Sequence, residues 1–500
     1  MHFKPFAVLA LVVTALLSAC GETETAEESQ PHIILITAGD VSVEDISAYG
    51  GPIPTPNIER LAKRGILFTK GYAAAAQAGP SRAALMSGQY PQRFGFMFDT
   101  GTVRETIKGS FGVQNTDRLL QERLRTLGYE TALFGSWNLG AREEQYPMLR
   151  GFDYFWGTLG DNTTYIAPRA PGVVFTKSSN YRLPPSRSRF NAVFAGGSAE
   201  TVKNTSRYLT DDMGAEVVRY INKFHRKSVA KGPSQTPSVQ SASGSQNPLF
   251  LMAAFHAPRA PLTALKSDFE GLPDLGSQER NTYGAMVRAV DRSIGRILDA
   301  LDKTGMSDNA LIIFTADRGC DALVNTCPCE TLRAGASTFY EGGLRVPYIV
   351  AFPGGGSSGL ESSAPVMPFD ITATIMDYAD PQDRLLPEFD GRSLTEIMNG
   401  KAGRFEKRPL FWQQTPLIAV LMDGKKLIRN GESNVAELYD LTNDPGEQND
   451  IASTNSYIVS DMETRLDVWQ QTNTFPGWET ANYGARPVCG RREFVANTRR

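Results

Sequence analysis

The segment His32–Thr37 reads HIILIT, an almost continuous run of large aliphatic residues. Such a run is typical of a strand buried on both faces, as in a parallel sheet that helices cover on both sides. Two later segments, Leu249–Ala254 and Ala310–Thr315, have the same character. We therefore expect these three segments to be central strands of one sheet.

Helix patterns lie between these strands. Asn57–Arg64, Thr116–Leu127 and Tyr283–Leu301 each place apolar residues on one face, and Gly65 ends the first of them. Glu130–Phe134 follows the second helix pattern as another short strand. Strands that alternate with helices are typical of an α/β sandwich with a mostly parallel sheet. We therefore predict that fold class for residues 31–403.

The C-terminal part of the chain has a different pattern. Leu417–Met422 and Lys425–Ile428 flank Asp423-Gly424, a dipeptide that supplies the positive φ angles of a tight hairpin turn. This predicts a smaller C-terminal α+β subdomain over residues 404–500. Within the larger domain, residues 228–247 are rich in Ser, Gln, Gly and Pro, and we expect a flexible surface loop there.

The N-terminus has the pattern of a secretion signal. Lys4 precedes the apolar run Phe6–Leu17, which is shorter than the roughly 20 residues that a helix needs to cross a bilayer. The run is followed by Cys20 in Leu-Ser-Ala-Cys, which resembles the bacterial lipobox, whose cysteine is lipidated. We expect a lipoprotein signal at 1–20, an acidic tether at 21–30, and a lipid anchor to the bacterial cell envelope, at the outer membrane. A simple cleaved signal is the alternative.

The composition argues against several classes of function. The formal net charge is −3 and the charges are mixed, so the chain has no basic face for nucleic acid. Only four histidines occur in 500 residues, and this small number argues against chemistry that needs several imidazoles, such as a three-histidine zinc site. Beyond Cys20, four cysteines remain, which allows up to two disulfides, with a Cys-x-Cys zinc site as the alternative. These four are Cys320, Cys327, Cys329 and Cys489.

Five segments in order resemble the type I sulfatases of the alkaline phosphatase superfamily. They are Gly51–Asn57, Pro80–Leu85, Gly88–Pro91, Tyr340–Pro347 and Leu438–Pro445. One such segment is weak evidence, whereas five in the same order are strong. The resemblance implies an alkaline phosphatase-like sandwich, a calcium ion, and hydrolysis of sulfate esters by a formylglycine nucleophile.

The nucleophile position departs from the family pattern. The family makes its aldehyde hydrate from the first residue of a Cys- or Ser-x-Pro-Ser-Arg motif. Here that motif runs from Ala78 to Arg82. A methyl group cannot be converted to formylglycine, so the resemblance implies that this nucleophile is missing. We expect Ser81 to cap the helix that follows.

The metal positions are also changed. The resemblance assigns two remnant ligands, Asp40 and Asp317, whereas the other two ligand positions hold Gly39 and Arg318. Calcium takes six to eight oxygen ligands, so we expect no metal cofactor. We expect Arg318 to bridge the two carboxylates in place of the ion.

Further family positions for proton transfer and sulfate binding have lost their chemistry. The lysine and histidine of the family segment Gly-Lys-Trp-His-Leu-Gly are replaced by Ser136 and Asn138. A second lysine position holds Ala336.

Two family positions are retained. Arg82 matches the arginine of the nucleophile motif, and His256 matches a sulfate-contacting histidine, so both are candidate catalytic and substrate-binding residues. Arg259 and Arg333 are further candidate cations for binding an anionic substrate.

These observations favour a surface-anchored protein of the sulfatase fold that is impaired in hydrolysis and binds a sulfated carbohydrate or a partner enzyme. The alternative is an active sulfuric ester hydrolase or transferase that uses a different nucleophile, for example Ser81 or Thr37. A third interpretation is that the protein is a relic that keeps the fold but binds no ligand.

Overall fold

The computed structural model describes residues 30–498, apart from 102–107, 110, 161–162, 168, 178–191, 197–200, 204–206, 232–246, 325, 356–357, 383–387, 400–401, 434 and 479–480. The signal at 1–20 with Cys20, most of the tether, and most of the loop at 228–247 lie outside the described residues. Within them, no helix combines the length and the apolar character needed to cross a membrane.

The described α-helices follow one another along the chain. In order they are Pro56–Ala62 (α1), Ala78–Ser87 (α2), Leu120–Thr126 (α3), Leu209–Lys231 (α4), Gln278–Thr304 (α5), Glu341–Leu344 (α6), Pro368–Ala379 (α7), Thr395–Met398 (α8), Gly403–Glu406 (α9) and Ser456–Gln470 (α10).

The described strands form one large sheet and three smaller ones. In chain order they are His32–Ala38 (β1), Ile66–Phe68 (β2), Glu130–Ser136 (β3), Tyr154–Thr158 (β4), Val173–Phe175 (β5), Ala192–Gly196 (β6), Thr201–Lys203 (β7), Leu249–Phe255 (β8), Thr263–Leu265 (β9), Ala310–Ala316 (β10), Tyr348–Ala351 (β11), Leu360–Ser362 (β12), Leu410–Gln414 (β13), Leu417–Met422 (β14), Lys425–Asn430 (β15), Val435–Asp440 (β16), Ala481–Val488 (β17) and Arg491–Thr498 (β18).

The large sheet has the strand order β12-β2-β11-β10-β1-β8-β3-β4-β6-β7. Its five central strands, from β10 to β4, are mutually parallel, whereas β11 and β6 pair antiparallel at the two sides. The three predicted strands β1, β8 and β10 lie side by side at the centre. The predicted α/β fold with a mostly parallel sheet is confirmed.

Helices cover both faces of this sheet because the central strands are apolar on both sides. Ile34 and Ile36 of β1 pack into a core with α1, α4 and α5. Ile33 and Leu35, which point the other way, pack into a second core with α2, α3 and α7. All four side chains are buried, and this two-sided burial explains the continuous apolar run in β1.

The C-terminal part contains the antiparallel sheet β13-β14-β15-β16, and α10 packs beside it. The hairpin predicted around Asp423-Gly424 is confirmed, since β14 and β15 pair in register across this turn. Asp423 and Gly424 both have positive φ angles, of 49° and 73°. Lys426 of β15 joins this sheet to the larger domain through Glu341, at 2.9 Å, and also pairs with Glu447 of the C-terminal part, at 2.7 Å.

Two predicted boundaries need correction. The second predicted helix begins at Leu120 and not near Thr116, because the Glu122 carboxylate accepts the Leu119 backbone N–H at 2.8 Å and supplies the helix start. Residues 228–231, which we expected in a loop, belong to α4, which continues to Lys231.

Two disulfides join the four remaining cysteines. Cys320 pairs with Cys327, and Cys329 pairs with Cys489. The structure thus confirms the disulfide interpretation over a zinc site. The second disulfide attaches the C-terminal hairpin β17-β18 to the loop that follows β10.

Candidate functional site

Three charged or titratable residues follow the central strands. His256 and Asp317 come directly after β8 and β10, and Asp40 comes two positions after the end of β1; the three strands pair in register. Because the carboxyl ends of parallel strands share one edge of a sheet, these side chains meet there. Asp40 and Asp317 are only 1% and 7% exposed. Asp40 has a φ angle of 57°, a left-handed conformation that aspartate tolerates better than most residues.

Arg259 joins the two carboxylates. Its Nε donates to Asp40 Oδ1 at 3.1 Å and its Nη2 donates to Asp317 Oδ2 at 2.7 Å. The guanidinium is itself buried, with 9% of the residue exposed. Two buried carboxylates without a cation would repel each other, and Arg259 removes that repulsion.

Arg318 lies on Asp40, as predicted, but in a different role. Its Nε and Nη2 donate to the two oxygens of Asp40, at 2.6 and 3.0 Å, in a bidentate pair. Its Nη1 lies 3.5 Å from Ser337 Oγ. The prediction that Arg318 bridges the two aspartates is therefore wrong. Arg259 makes the bridge, whereas Arg318 makes a bidentate ion pair with Asp40.

Arg82 completes the group from α2. Its Nη1 donates to the Ser136 carbonyl at 2.6 Å, and its Nη2 lies 3.4 Å from Thr37 Oγ1 and 4.0 Å from Asp317 Oδ2. The side chain is 2% exposed. We call Asp40, Arg82, Arg259, Asp317 and Arg318 the arginine–aspartate cluster. Its contacting groups are three guanidiniums and two carboxylates.

Every carboxylate oxygen of the cluster accepts a hydrogen bond. Besides the guanidinium contacts above, Asp317 Oδ1 accepts the Asp40 backbone N–H at 3.3 Å, so each of the four carboxylate oxygens has a nitrogen donor. Burial alone would raise the pKa of Asp40, but Arg259 and Arg318 outweigh burial and hold that pKa below its ordinary value. Asp40 therefore remains ionised as one member of a buried ion network.

Gly39 makes room for this arrangement. A Cβ at this position would lie 2.8 Å from the His256 carbonyl oxygen and 3.3 Å from Cζ and Nη2 of Arg259. The contact with the backbone oxygen would force the chain to shift, and an aspartate at this position would also crowd the Arg259 guanidinium. The arrangement therefore favours glycine at position 39.

The donor set does not fit calcium. The ion needs six to eight oxygens, whereas Asp40 and Asp317 supply four, and all four already accept hydrogen bonds from nitrogen. Arg259 and Arg318 also place two permanent positive charges against these oxygens. Within the described ranges, no three His, Cys, Asp or Glu side chains come together as metal ligands.

His256 has a defined hydrogen-bond partner. Its Nε2 lies 2.7 Å from Thr158 Oγ1, which also contacts the Gly160 carbonyl at 2.7 Å. Nε2 therefore faces a threonine hydroxyl that is also bonded to a backbone carbonyl. Thr158 was not singled out from the sequence.

Ala78, at the position where the family carries its nucleophile, is the first residue of α2 and is buried. The next backbone N–H, of Gly79, donates to Asp99 Oδ1 at 2.7 Å. A carboxylate is favourable at a helix N-terminus, so Asp99 supplies an anion from within the chain. Sequence reasoning missed Asp99, which has no recognisable motif around it.

The two hydroxyls proposed as alternative nucleophiles have no base beside them. Ser81 Oγ accepts the Ala74 N–H at 3.3 Å, and Thr37 Oγ1 is contacted by Arg82. In the part of the chain that the structure describes, neither hydroxyl is hydrogen-bonded to a histidine or a carboxylate. Ser81 is also not the helix cap that we predicted, because α2 begins three residues earlier.

Arg333 does not belong to this site. It donates to both carboxylate oxygens of Glu493 at 2.8 Å and to Tyr439 Oη at 2.8 Å, and its Cζ lies 3.7 Å from the Tyr340 ring centroid. These contacts fix hairpin β17-β18 to the C-terminal sheet. The structure thus brings Arg82, His256 and Arg259 together and places Arg333 elsewhere.

The three replaced positions line the same region with small or uncharged groups. Ser136 ends β3 and presents its carbonyl to Arg82. Asn138 is 5% exposed, with a φ angle of 59°. The Ala336 N–H donates to the Cys320 carbonyl at 2.7 Å, and its methyl group is buried. None of the three supplies a positive charge.

Comparison with known proteins agrees with this architecture. A family model described as Sulfatase matches residues 31–381, and one described as N-sulphoglucosamine sulphohydrolase, C-terminal, matches residues 336–472. N-acetylgalactosamine-6-sulfatase of Rattus norvegicus is 30% identical over 426 residues, which cover 81% of this chain and 73% of the relative. A sulfatase of Formosa agariphila is 26% identical and covers 95% and 94% of the two chains.

Solved structures show the same relationship. Ps i-CgsB in complex with k-i-k-neocarrahexaose superimposes with a TM-score of 0.76 at 28% identity, covering 90% of this chain and 94% of that one. The matched ranges of the family models extend over most of the described fold, including β1, β8, β10 and the residues that follow them. The chain therefore belongs to the sulfatase family.

Proposed function

We propose that this protein binds sulfated carbohydrate through its sulfatase-type pocket and does not hydrolyse the sulfate ester. The arginine–aspartate cluster is the observation that carries this proposal. Arg259 and Arg318 engage the carboxylates that the family resemblance assigns to metal binding. A guanidinium neutralises these carboxylates as a metal ion would, but it has no open coordination position with which to polarise a sulfate oxygen.

The remaining groups do not replace the missing chemistry. Ala78 offers no atom that can attack sulfur, and His256 Nε2 lies 2.7 Å from the Thr158 hydroxyl. Ester hydrolysis needs a nucleophile and a group to activate it. When these groups are removed from an enzyme, what remains is binding and electrostatic stabilisation, a residual ~10³ to 10⁴ over water in a protease example.

The class of ligand follows from charge and from the relatives. The cluster has one more guanidinium than it has carboxylates, and a sulfate ester carries one negative charge that pairs with such an excess. N-acetylgalactosamine-6-sulfatase, by its name, acts on a sulfated sugar, and Ps i-CgsB was solved with an oligosaccharide. Arg82 and His256 are the residues of this chain that we assign to contact the sulfate group.

The alternative of an active hydrolase or transferase has less support. Ser81 and Thr37 have hydroxyl groups in the right part of the fold, but neither is paired with a base among the described residues. A partner enzyme in place of a glycan would require a docking face on the protein surface.

We propose further that the protein is lipid-anchored through Cys20 on the bacterial cell envelope, at the outer membrane. The support is the Leu-Ser-Ala-Cys sequence after a short apolar run. Fractionation of cells that express the parent and Cys20→Ser tests this. We expect the parent in the membrane fraction with attached lipid, and an equal membrane association of Cys20→Ser would contradict the anchor.

A panel of sulfated polysaccharides and their chemically desulfated forms tests the function. We expect binding that depends on sulfate and no release of sulfate in the same samples. Binding that is equal for the desulfated forms would contradict sulfate recognition, and release of sulfate above a blank would contradict the loss of hydrolysis.

A further inference from the structure

Residues 473–498 follow the last position that either family model matches. Thr474 to Trp478, which we call the aromatic arm, crosses the loop after α2. The Thr474 N–H donates to the Gln92 carbonyl at 3.0 Å, and the Gly477 N–H donates to the Gly95 carbonyl at 2.9 Å. The arm is therefore held by backbone hydrogen bonds on both sides of Phe475.

Phe475 is 94% exposed, although the backbone around it is fixed. Pro476 follows it and restricts the conformation of Phe475 to the extended region. At Gly95, a Cβ would lie 2.7 Å from the Phe475 carbonyl oxygen, so the two segments are in close contact. An apolar ring that a rigid backbone presents to solvent costs little conformational entropy when a ligand packs on it.

The arm also reaches the candidate site. Trp478 Nε1 donates to the Asp99 carbonyl at 3.3 Å, and the Asp99 carboxylate accepts the Gly79 N–H beside Ala78. The Trp478 ring packs against Phe96, with centroids 4.8 Å apart, and stacks on Phe111 at 5.5 Å. These contacts place the arm beside the N-terminus of α2.

Distance defines what Phe475 can contact. Phe475 is three positions before Trp478, so the two Cα atoms lie at most about 11 Å apart. Phe475 therefore lies within that distance of the residue that contacts Asp99. A glycan that reached both Phe475 and the arginine–aspartate cluster would need several connected rings.

We propose that Phe475 is a stacking platform for a pyranose ring of an oligosaccharide whose sulfated ring lies in the pocket. This inference rests on the proposed function. A pyranose ring has a face of C–H groups that packs flat on an aromatic ring, which matches an exposed, flat, uncharged surface. The aromatic arm thereby makes affinity depend on the length of the glycan and not only on its sulfate group.

The test compares a neocarrabiose sulfate with a neocarrahexaose sulfate by titration calorimetry. We expect the parent to bind the hexasaccharide more tightly and Phe475→Ala to weaken that binding by about five- to tenfold, as the loss of one aromatic contact implies. Binding of the disaccharide is expected to be unchanged. Tyr457→Ala is the matched control, because Tyr457 is 85% exposed but lies at the far end of α10, about 18 Å from Trp469.

The outcomes separate this inference from the proposed function. If Phe475→Ala binds the hexasaccharide as tightly as the parent does, the platform is wrong while sulfate recognition stands. If a chemically desulfated hexasaccharide binds equally tightly and still depends on Phe475, the platform stands and sulfate recognition is wrong. If the parent binds neither sulfated oligosaccharide, both are wrong.

Discussion

Arg259 donates one hydrogen bond to Asp40 and another to Asp317, and thereby ties together the carboxyl ends of β1 and β10. A side chain at position 39 would crowd the same guanidinium and would clash with the His256 carbonyl oxygen. Gly39 thus leaves room for the position that Arg259 occupies. Arg318 adds a second cation on Asp40, so the site is stabilised by ion pairs within the chain.

Arg259→Met tests how much the bridge contributes to stability. Removing the cation leaves two buried carboxylates without a bridging partner, and we expect the free energy of unfolding to fall by about 3–5 kcal/mol. Adding Asp317→Asn to Arg259→Met should restore part of the loss, since it removes the charge of a carboxylate that has lost its hydrogen bond from Arg259. Urea denaturation of both variants measures this.

Arg60→Met is the control, because Arg60 pairs with Asp299 and Asp302 on the surface. Exposed pairs contribute about 0–1 kcal/mol. A loss for Arg259→Met no greater than that of Arg60→Met would contradict the structural role of the bridge.

The response to calcium tests whether arginine replaces the metal. The melting temperature of the parent should be the same with calcium and with a chelator, since an ion that binds only the folded state would raise it. Arg318→Asn uncovers the oxygens of Asp40, so this variant should be less stable, by about 3 kcal/mol, and calcium should restore part of that stability. A marked stabilisation of the parent by calcium is the contrary result.

His32 predicts a pH dependence of stability. Its Nδ1 accepts the Leu249 N–H at 3.1 Å, and burial lowers its pKa from 6.5 to about 4. Between these values the unfolded chain binds a proton that the folded chain does not. Stability therefore falls as the pH drops from 6.5 to 4, by about 2–3 kcal/mol for this partly exposed ring.

His32→Gln keeps a hydrogen-bond acceptor but cannot titrate. The difference between its unfolding free energy and that of the parent should change across this pH range in the direction that favours the variant at low pH. A difference that stays constant from pH 7 to pH 4 would show that His32 does not carry the effect.

Arg333→Ala should separate stability from binding. Loss of the contacts to Glu493 and Tyr439 should lower the melting temperature and increase proteolysis of hairpin β17-β18. The affinity for a sulfated oligosaccharide should remain within about twofold of the parent's, a difference of under 0.5 kcal/mol. If affinity falls sharply while the hairpin stays protected from protease, Arg333 contacts the ligand after all.

Much of the fold could be predicted from the sequence because the central strands are buried on both faces. β1, β8 and β10 each end within one residue of the predicted position. Short strands towards the two edges of the sheet, such as β6 and β12, were not predicted, since segments of three to five residues carry little periodic signal. The Thr116 boundary was wrong because a glutamate side chain, and not a threonine, satisfies the free backbone N–H.

The site could be predicted in part. Residues directly after parallel strands must share one edge, and this brought Asp40, His256 and Asp317 together. Which arginine bridges the carboxylates could not be predicted, because it depends on the path of the loop after β8 and on the space beside Gly39. The contact of Trp478 with Asp99 joins residues 379 positions apart and has no local signature.

The loss of hydrolysis is tested most directly by measuring the release of sulfate from a sulfated oligosaccharide that the protein has been shown to bind. We expect that the parent protein, saturated with ligand and supplied with calcium, releases no more sulfate than a blank. The same result is expected in the presence of a chelator. Release above the blank that is lost in both Asp40→Asn and Asp317→Asn would contradict the claim that the arginine–aspartate cluster has replaced the catalytic centre.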